Sequence, residues 1–108
     1  MSKANNILPA TRDKSSIESI LTAVCRIWDI EPKTLLGRTR RQPVAFARQL
    51  AMALSYRMTN RSSVQIADSF GRNHATVLYA MKVVDEASND PQVADYINQV
   101  IRASTETK

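Results

Sequence analysis

The 108-residue chain is poor in cysteine, glycine and proline, and it has no long apolar run. A single cysteine, Cys25, excludes a disulfide framework and a cysteine-based zinc site, and it is typical of a reducing cytoplasm. Two glycines and four prolines exclude collagen-like and low-complexity chains. No apolar stretch approaches the roughly twenty residues that span a bilayer, and the polar N-terminus lacks the apolar segment of a signal peptide. These absences predict a small soluble domain in the cytoplasm.

The residues that are present favour one folded unit. Hydrophobic residues make up 44% of the chain, which is enough to build a core. A chain of this length buries roughly two-thirds of its unfolded surface and has no room for a second domain.

Acidic residues are missing from the middle of the chain. Between Glu31 and Asp68 there is none, and residues 32–84 carry nine bases against one acid. The rest of the chain carries six bases against nine acids. Charge concentrated in one segment of a small domain is expected of a protein that binds a polyanion. A solvated, arginine-rich surface is the alternative that charge alone leaves open.

Apolar periodicity predicts an all-α bundle of five to six helices. The first helix starts at a capping box of Ser15 with Glu18, and Pro32 and Gly37 frame a short second helix. The inward positions of the first helix are Ile17, Ile20, Leu21, Val24, Ile27 and Trp28.

The longest predicted helix opens at Pro43 and ends before Thr59. It is apolar on two faces, which places it in the middle of the bundle. The last predicted helix starts at Asp90 and Pro91. We expect a loose arm over residues 1–14, one domain over 15–103 and a tail over 104–108.

Residues 62–86 have the pattern of a helix-turn-helix. Ala67 is small where the two helices touch, Gly71 can adopt the positive φ of the turn, and Val77 packs the second helix against the first. Asn73 can cap the second helix, whose first turn offers small and hydrogen-bonding side chains, as in recognition helices that meet base edges. With the basic residues around it, the candidate site comprises Arg38, Arg40, Arg41, Arg48, Arg61, Arg72, Asn73, His74, Ala75, Thr76, Tyr79 and Lys82.

Five segments carry a family resemblance. The chain resembles the C-terminal DNA-binding domain of the bacterial replication initiator DnaA, from about Ile17 to the last helix. The segments are 38–41 (RTRR), 44–54 (VAFARQLAMAL), 59–62 (TNRS), 66–71 (IADSFG) and 72–78 (RNHATVL). The resemblance implies a helical bundle whose helix-turn-helix enters the major groove of a short duplex box while a basic loop enters the minor groove.

The resemblance also implies roles for individual residues. His74 and Thr76 would contact bases, and Arg72 would lie at the start of the recognition helix. Arg40 would reach the minor groove from the loop, and Arg48 would face the phosphate backbone.

The chain departs from the family pattern at four places. It has only Gly71 where the family usually has two glycines in the turn, and Asn73 where an aspartate is usual. Ala75 stands where the family has a base-contacting threonine, and Tyr56 replaces a usual lysine, which removes one phosphate contact. Because asparagine donates as well as accepts hydrogen bonds, base preference can change at Asn73.

The sequence predicts no chemistry. The phosphate-loop motif of the ATPase module in full-length initiators is missing from these residues, so we expect no ATP binding. His74 is the only histidine, no metal site or cofactor is expected, and no catalytic arrangement appears. We expect sequence-selective binding of double-stranded DNA in the nucleoid, in replication initiation or transcription. A protein-interaction module that docks on an initiator or another acidic partner is the alternative, and a homodimer or contacts with replication or transcription proteins stay open.

Overall fold

The structure, a computed structural model, describes residues 16–106 and contains six α-helices in that range. The described part has no β-strand, which confirms the predicted all-α class. The helices are α1 Ile17–Trp28, α2 Pro32–Leu35, α3 Val44–Met58, α4 Ser63–Phe70, α5 His74–Ala87 and α6 Pro91–Glu106. None of the six is long and apolar enough to cross a membrane.

Helix α1 is capped one residue later than predicted. Ser16, not Ser15, is the N-cap, and its Oγ accepts from the Ser19 backbone N–H at 3.1 Å. Ser19 Oγ accepts in return from the Ser16 N–H at 3.1 Å, so a hydroxyl takes the part assigned to Glu18. Ser15 and the predicted arm over 1–14 lie outside the described residues.

Helix α3 is the centre of the bundle, as its two apolar faces predict. Leu50, Leu54 and Met58 are at most 1% exposed, and α1, α2, α4 and α5 all pack against this helix. It starts at Val44, with Pro43 as its N-cap. At 15 residues it is one shorter than α6, so it is not the longest helix.

Helices α1 and α6 pack together on the other side of the bundle. Ile97 and Val100 of α6 are buried. Trp28 is only half-buried, and its ring lies 5.4 Å from that of Tyr96. Helix α6 runs past residue 103, where the sequence predicts a tail, because Ser104 is fully buried and extends the packed face.

Helices α4 and α5 form the predicted helix-turn-helix. Ala67 is 2% exposed and Val77 is fully buried, so the small contact and the apolar lock are both in place. Gly71 ends α4 with φ 67° and ψ 35°. An added Cβ there would meet nothing within 4 Å, so the backbone conformation alone requires glycine.

Candidate nucleic-acid interface

Asn73 organises the start of α5. It is the N-cap, and its Oδ1 accepts from the Thr76 backbone N–H at 3.0 Å. The same oxygen accepts from the Thr76 hydroxyl at 3.2 Å. The Thr76 hydroxyl therefore donates its only hydrogen to Asn73, and toward any other partner it can act only as an acceptor. The cap predicted at Asn73 is confirmed, and it fixes the first turn of the recognition helix.

The outward side of α5 carries the side chains that the sequence predicts there. His74, Ala75 and Lys82 are exposed, Tyr79 is 61% exposed, and Thr76 is half-buried. Ala75, Tyr79 and Lys82 follow one another at helical spacing, so they form one stripe. This stripe combines a small residue, an aromatic ring and a cation.

Arg72 joins the basic loop to the start of the recognition helix. Its Nη2 donates to the Gly37 carbonyl at 2.6 Å, and its Nη1 donates to the carbonyls of Leu36 at 3.2 Å and Phe70 at 2.8 Å. Because Leu36 and Gly37 immediately precede Arg38, this fork holds the arginine-rich connector, residues 38–42, beside α5. The connector's Arg38, Arg40 and Arg41 are all exposed.

Arg48 lies elsewhere than predicted. It is 7% exposed, which contradicts the expectation of a side chain on the phosphate-facing surface. Its Nε donates to the Leu35 carbonyl at 2.6 Å, and its Nη1 donates to the Thr39 carbonyl at 2.9 Å. Its Nη2 is buried without a hydrogen-bond partner. The carbonyls at the end of α2 and in the connector need donors, and Arg48 supplies them from α3.

Three guanidinium groups converge at the connector. Burial, and then the positive charge of Arg72, lower the pKa of Arg48 from its usual value. Burial, and then the charge of Arg38, lower the pKa of Arg72. Like charges held this close disfavour one another, so an anion placed beside them would be stabilised.

Arg61 occupies a different place, at the junction of α3 and α4. It is exposed, and its backbone N–H donates to Thr59 Oγ1 at 3.2 Å. It lines a shallow polar depression with Tyr56 and Gln65. Ser62 and Gln65 form a capping box at the start of α4, with bonds of 2.9 and 3.2 Å.

The sequence patterns do not predict that Arg48 and Arg72 donate hydrogen bonds to backbone carbonyls. A signal for them exists, since no acid lies between residues 32 and 67 and backbone carbonyls are then the nearby acceptors. Within residues 16–106 there is also no group of three or more histidine, cysteine, aspartate or glutamate side chains that could hold a metal ion.

The described helices form a bundle that contains a capped helix-turn-helix, with a cationic connector held beside it. These features define the class of helix-turn-helix domains. The model of the bacterial DnaA helix-turn-helix matches residues 17–84. The chain therefore belongs to the bacterial DnaA helix-turn-helix family, which confirms the resemblance seen in the sequence.

Chromosomal replication initiator proteins are among the relatives. DnaA 1 of Protochlamydia amoebophila is 35% identical over 94 residues, 86% of this chain and 21% of that protein. DnaA of Methylacidiphilum infernorum is 36% identical over 95 residues, again 86% and 21%. DnaA of Thermodesulfovibrio yellowstonii is 32% identical over 102 residues, 93% and 23%. The chain thus spans about a fifth of the length of these relatives.

Proposed function

We propose that this chain binds double-stranded DNA in a sequence-selective way and performs no chemistry of its own. The observation that carries the proposal is the Arg72 fork, since it sets the connector beside the start of α5. A recognition helix and a flexible basic segment can enter adjacent major and minor grooves only if they lie side by side.

The exposed side chains divide into two kinds of contact. His74 and Thr76 lie in the first turn of α5, where recognition helices meet base edges, and we assign base contacts to them. Arg40 belongs to the connector and follows the minor groove. We assign phosphate contacts to the exposed Arg38, Arg41, Arg61, Tyr79 and Lys82. Arg48 is not among them, because its guanidinium is buried.

The names of the relatives support a biological setting for this chain. Those named above are called chromosomal replication initiator proteins, and we propose that this chain acts in the control of replication initiation or of transcription. Its place is then the nucleoid in the cytoplasm.

A salt titration of duplex binding tests the proposal. Neutralising phosphates releases counterions, so log affinity should fall linearly with log salt, with a slope of about −0.9 per phosphate contacted. Arg41→Ala should flatten that slope by about one unit. Arg102→Ala is the matched control, because Arg102 is an exposed arginine on α6, outside the basic segment, and its loss should leave the slope unchanged.

The same titration separates DNA binding from docking on an acidic protein. No binding to any duplex at low salt would end the proposal and leave the protein-interaction module. Equal slopes for the wild type, Arg41→Ala and Arg102→Ala would show that Arg41 does not contact phosphate.

A further inference from the structure

The side-chain amide of Asn73 has an acceptor oxygen, Oδ1, and a donor nitrogen, Nδ2, and only the oxygen is used in hydrogen bonds to Thr76. Oδ1 accepts from both the N–H and the hydroxyl of Thr76, at 3.0 and 3.2 Å. A carbonyl oxygen has two lone pairs, so both are used. The orientation of the amide follows from chemistry, because a backbone N–H can donate only to the oxygen. Nδ2, with its two N–H donors, is the half left for another partner.

This donor lies where a base edge would be read. Asn73 is exposed and directly precedes the first turn of α5. Its neighbour Ala75 is exposed and ends at Cβ, so it does not obstruct a close approach of the helix end to a groove. Recognition helices contact bases with these N-terminal positions.

We infer that Asn73 is a specificity-determining residue, which donates a hydrogen bond from Nδ2 to one base and rejects cytosine there. The inference rests on the proposed function. In the major groove guanine offers N7 and O6 as acceptors, adenine offers N7 and thymine offers O4, whereas cytosine offers only the N4 donor. A donor facing a donor leaves both unpaired, and a buried unpaired donor costs free energy.

Two substitutions separate reading from capping. Asn73→Asp retains an oxygen for the cap and turns the outward group from a donor into an acceptor. Asn73→Ser also retains a capping oxygen and removes the outward group altogether. Serine and aspartate are both good N-cap residues, so the thermal unfolding of both variants should stay close to that of the wild type.

The experiment selects a preferred duplex for the wild type from a random pool, and then measures all single base-pair changes of it in competition. The wild type should disfavour cytosine at one position. Asn73→Asp should prefer cytosine at that same position, with a reversal of roughly tenfold in relative affinity, within the range of a single base contact. Asn73→Ser should lose the discrimination at that position alone. The extra negative charge of Asn73→Asp weakens binding to every duplex, and comparing bases within one protein removes this effect.

The outcomes distinguish this inference from the proposed function. A selected duplex whose base preferences are the same in the wild type and both variants would overturn the inference and leave the proposed function standing. A wild type that binds no duplex, or binds all duplexes equally, would overturn sequence-selective binding and this inference with it.

Discussion

Ser55 is a polar residue in the middle of the core. It is fully buried in α3, and its Oγ has no hydrogen-bond partner. Burying a hydroxyl without a partner costs free energy, so the side chain opposes folding where it stands. We expect Ser55→Ala to raise the free energy of unfolding by about 1 kcal/mol.

Ser104 is the matched control for that substitution. It is also fully buried in a helix, but its Oγ donates to the Ile101 carbonyl at 2.9 Å. Ser104→Ala removes this bond, so its free energy of unfolding should be lower than that of Ser55→Ala. Urea unfolding of both variants measures the difference, and an equal loss in both would show that Ser55 Oγ is satisfied in solution.

Arg48 stabilises the connector rather than a phosphate, and this changes what its removal does. Arg48→Ala leaves the carbonyls of Leu35 and Thr39 without their donor. We expect a loss of about 2 kcal/mol in the free energy of unfolding, the scale of hydrogen bonds to a charged group. Arg48→Lys keeps the charge but cannot form the planar fork. Its free energy of unfolding should therefore lie between those of the wild type and Arg48→Ala.

Chemical denaturation measures the loss, and a salt titration of duplex binding gives the second readout. The phosphate contact that the resemblance implies for Arg48 would make Arg48→Ala flatten the salt slope by about one unit. The structure predicts a less stable protein instead. If Arg48→Ala left the free energy of unfolding unchanged and flattened the slope by one unit, the result would support a phosphate contact by Arg48 instead.

At the scale of elements, one side chain links the helix-turn-helix to the connector. Arg72→Lys keeps the charge and loses the fork that holds Leu36 and Gly37. If the fork positions Arg40, the cost of Arg40→Ala on duplex binding should shrink in the Arg72→Lys background. We expect a coupling of at least about 0.5 kcal/mol in a double-mutant cycle.

Arg61→Ala provides the control cycle. Arg61 lies at the junction of α3 and α4, apart from the carbonyls that Arg72 holds. Its cost should add to that of Arg72→Lys without coupling. Additive costs in both cycles would mean that Arg40 reaches DNA whether or not Arg72 holds the connector.

Elements were predictable to the extent that their signals are local. Apolar spacing, the Gly71 turn and the Ser62 capping box act within a few residues, and the helices follow them closely. The cap of α1 was misplaced because Ser15 and Ser16 are adjacent and equally suited. The sequence does not predict that Arg48 and Arg72 donate to carbonyls of residues 35–39, because these contacts join residues 9 to 36 positions apart, which no local pattern shows.

The same limit applies to the candidate site. The sequence predicts which residues of α5 point outward, since helical spacing determines this. It predicts the Asn73 cap, but it does not predict that the same oxygen also accepts from the Thr76 hydroxyl, because that bond depends on the threonine side-chain conformation as well as on the residue type.

The whole molecule is divided in charge. The basic segment 32–84 contains α2, the connector, α3, α4 and most of α5, while nine of the ten acids lie before or after it in the chain. Charge concentrated in one segment attracts a polyanion to the elements that this segment forms. Because charge attracts DNA of any sequence, the proposed selectivity is assigned to side chains of α5 and the connector.

The most direct measurement of that selectivity compares two duplexes, the one selected from a random pool and a scrambled duplex of the same composition. The wild type should bind the selected duplex at least about a thousandfold more tightly. His74→Ala and Thr76→Ala should each lose about 1–3 kcal/mol on the selected duplex and little on the scrambled one. Equal losses on both duplexes would contradict the account, because they would mean that the recognition helix does not read bases.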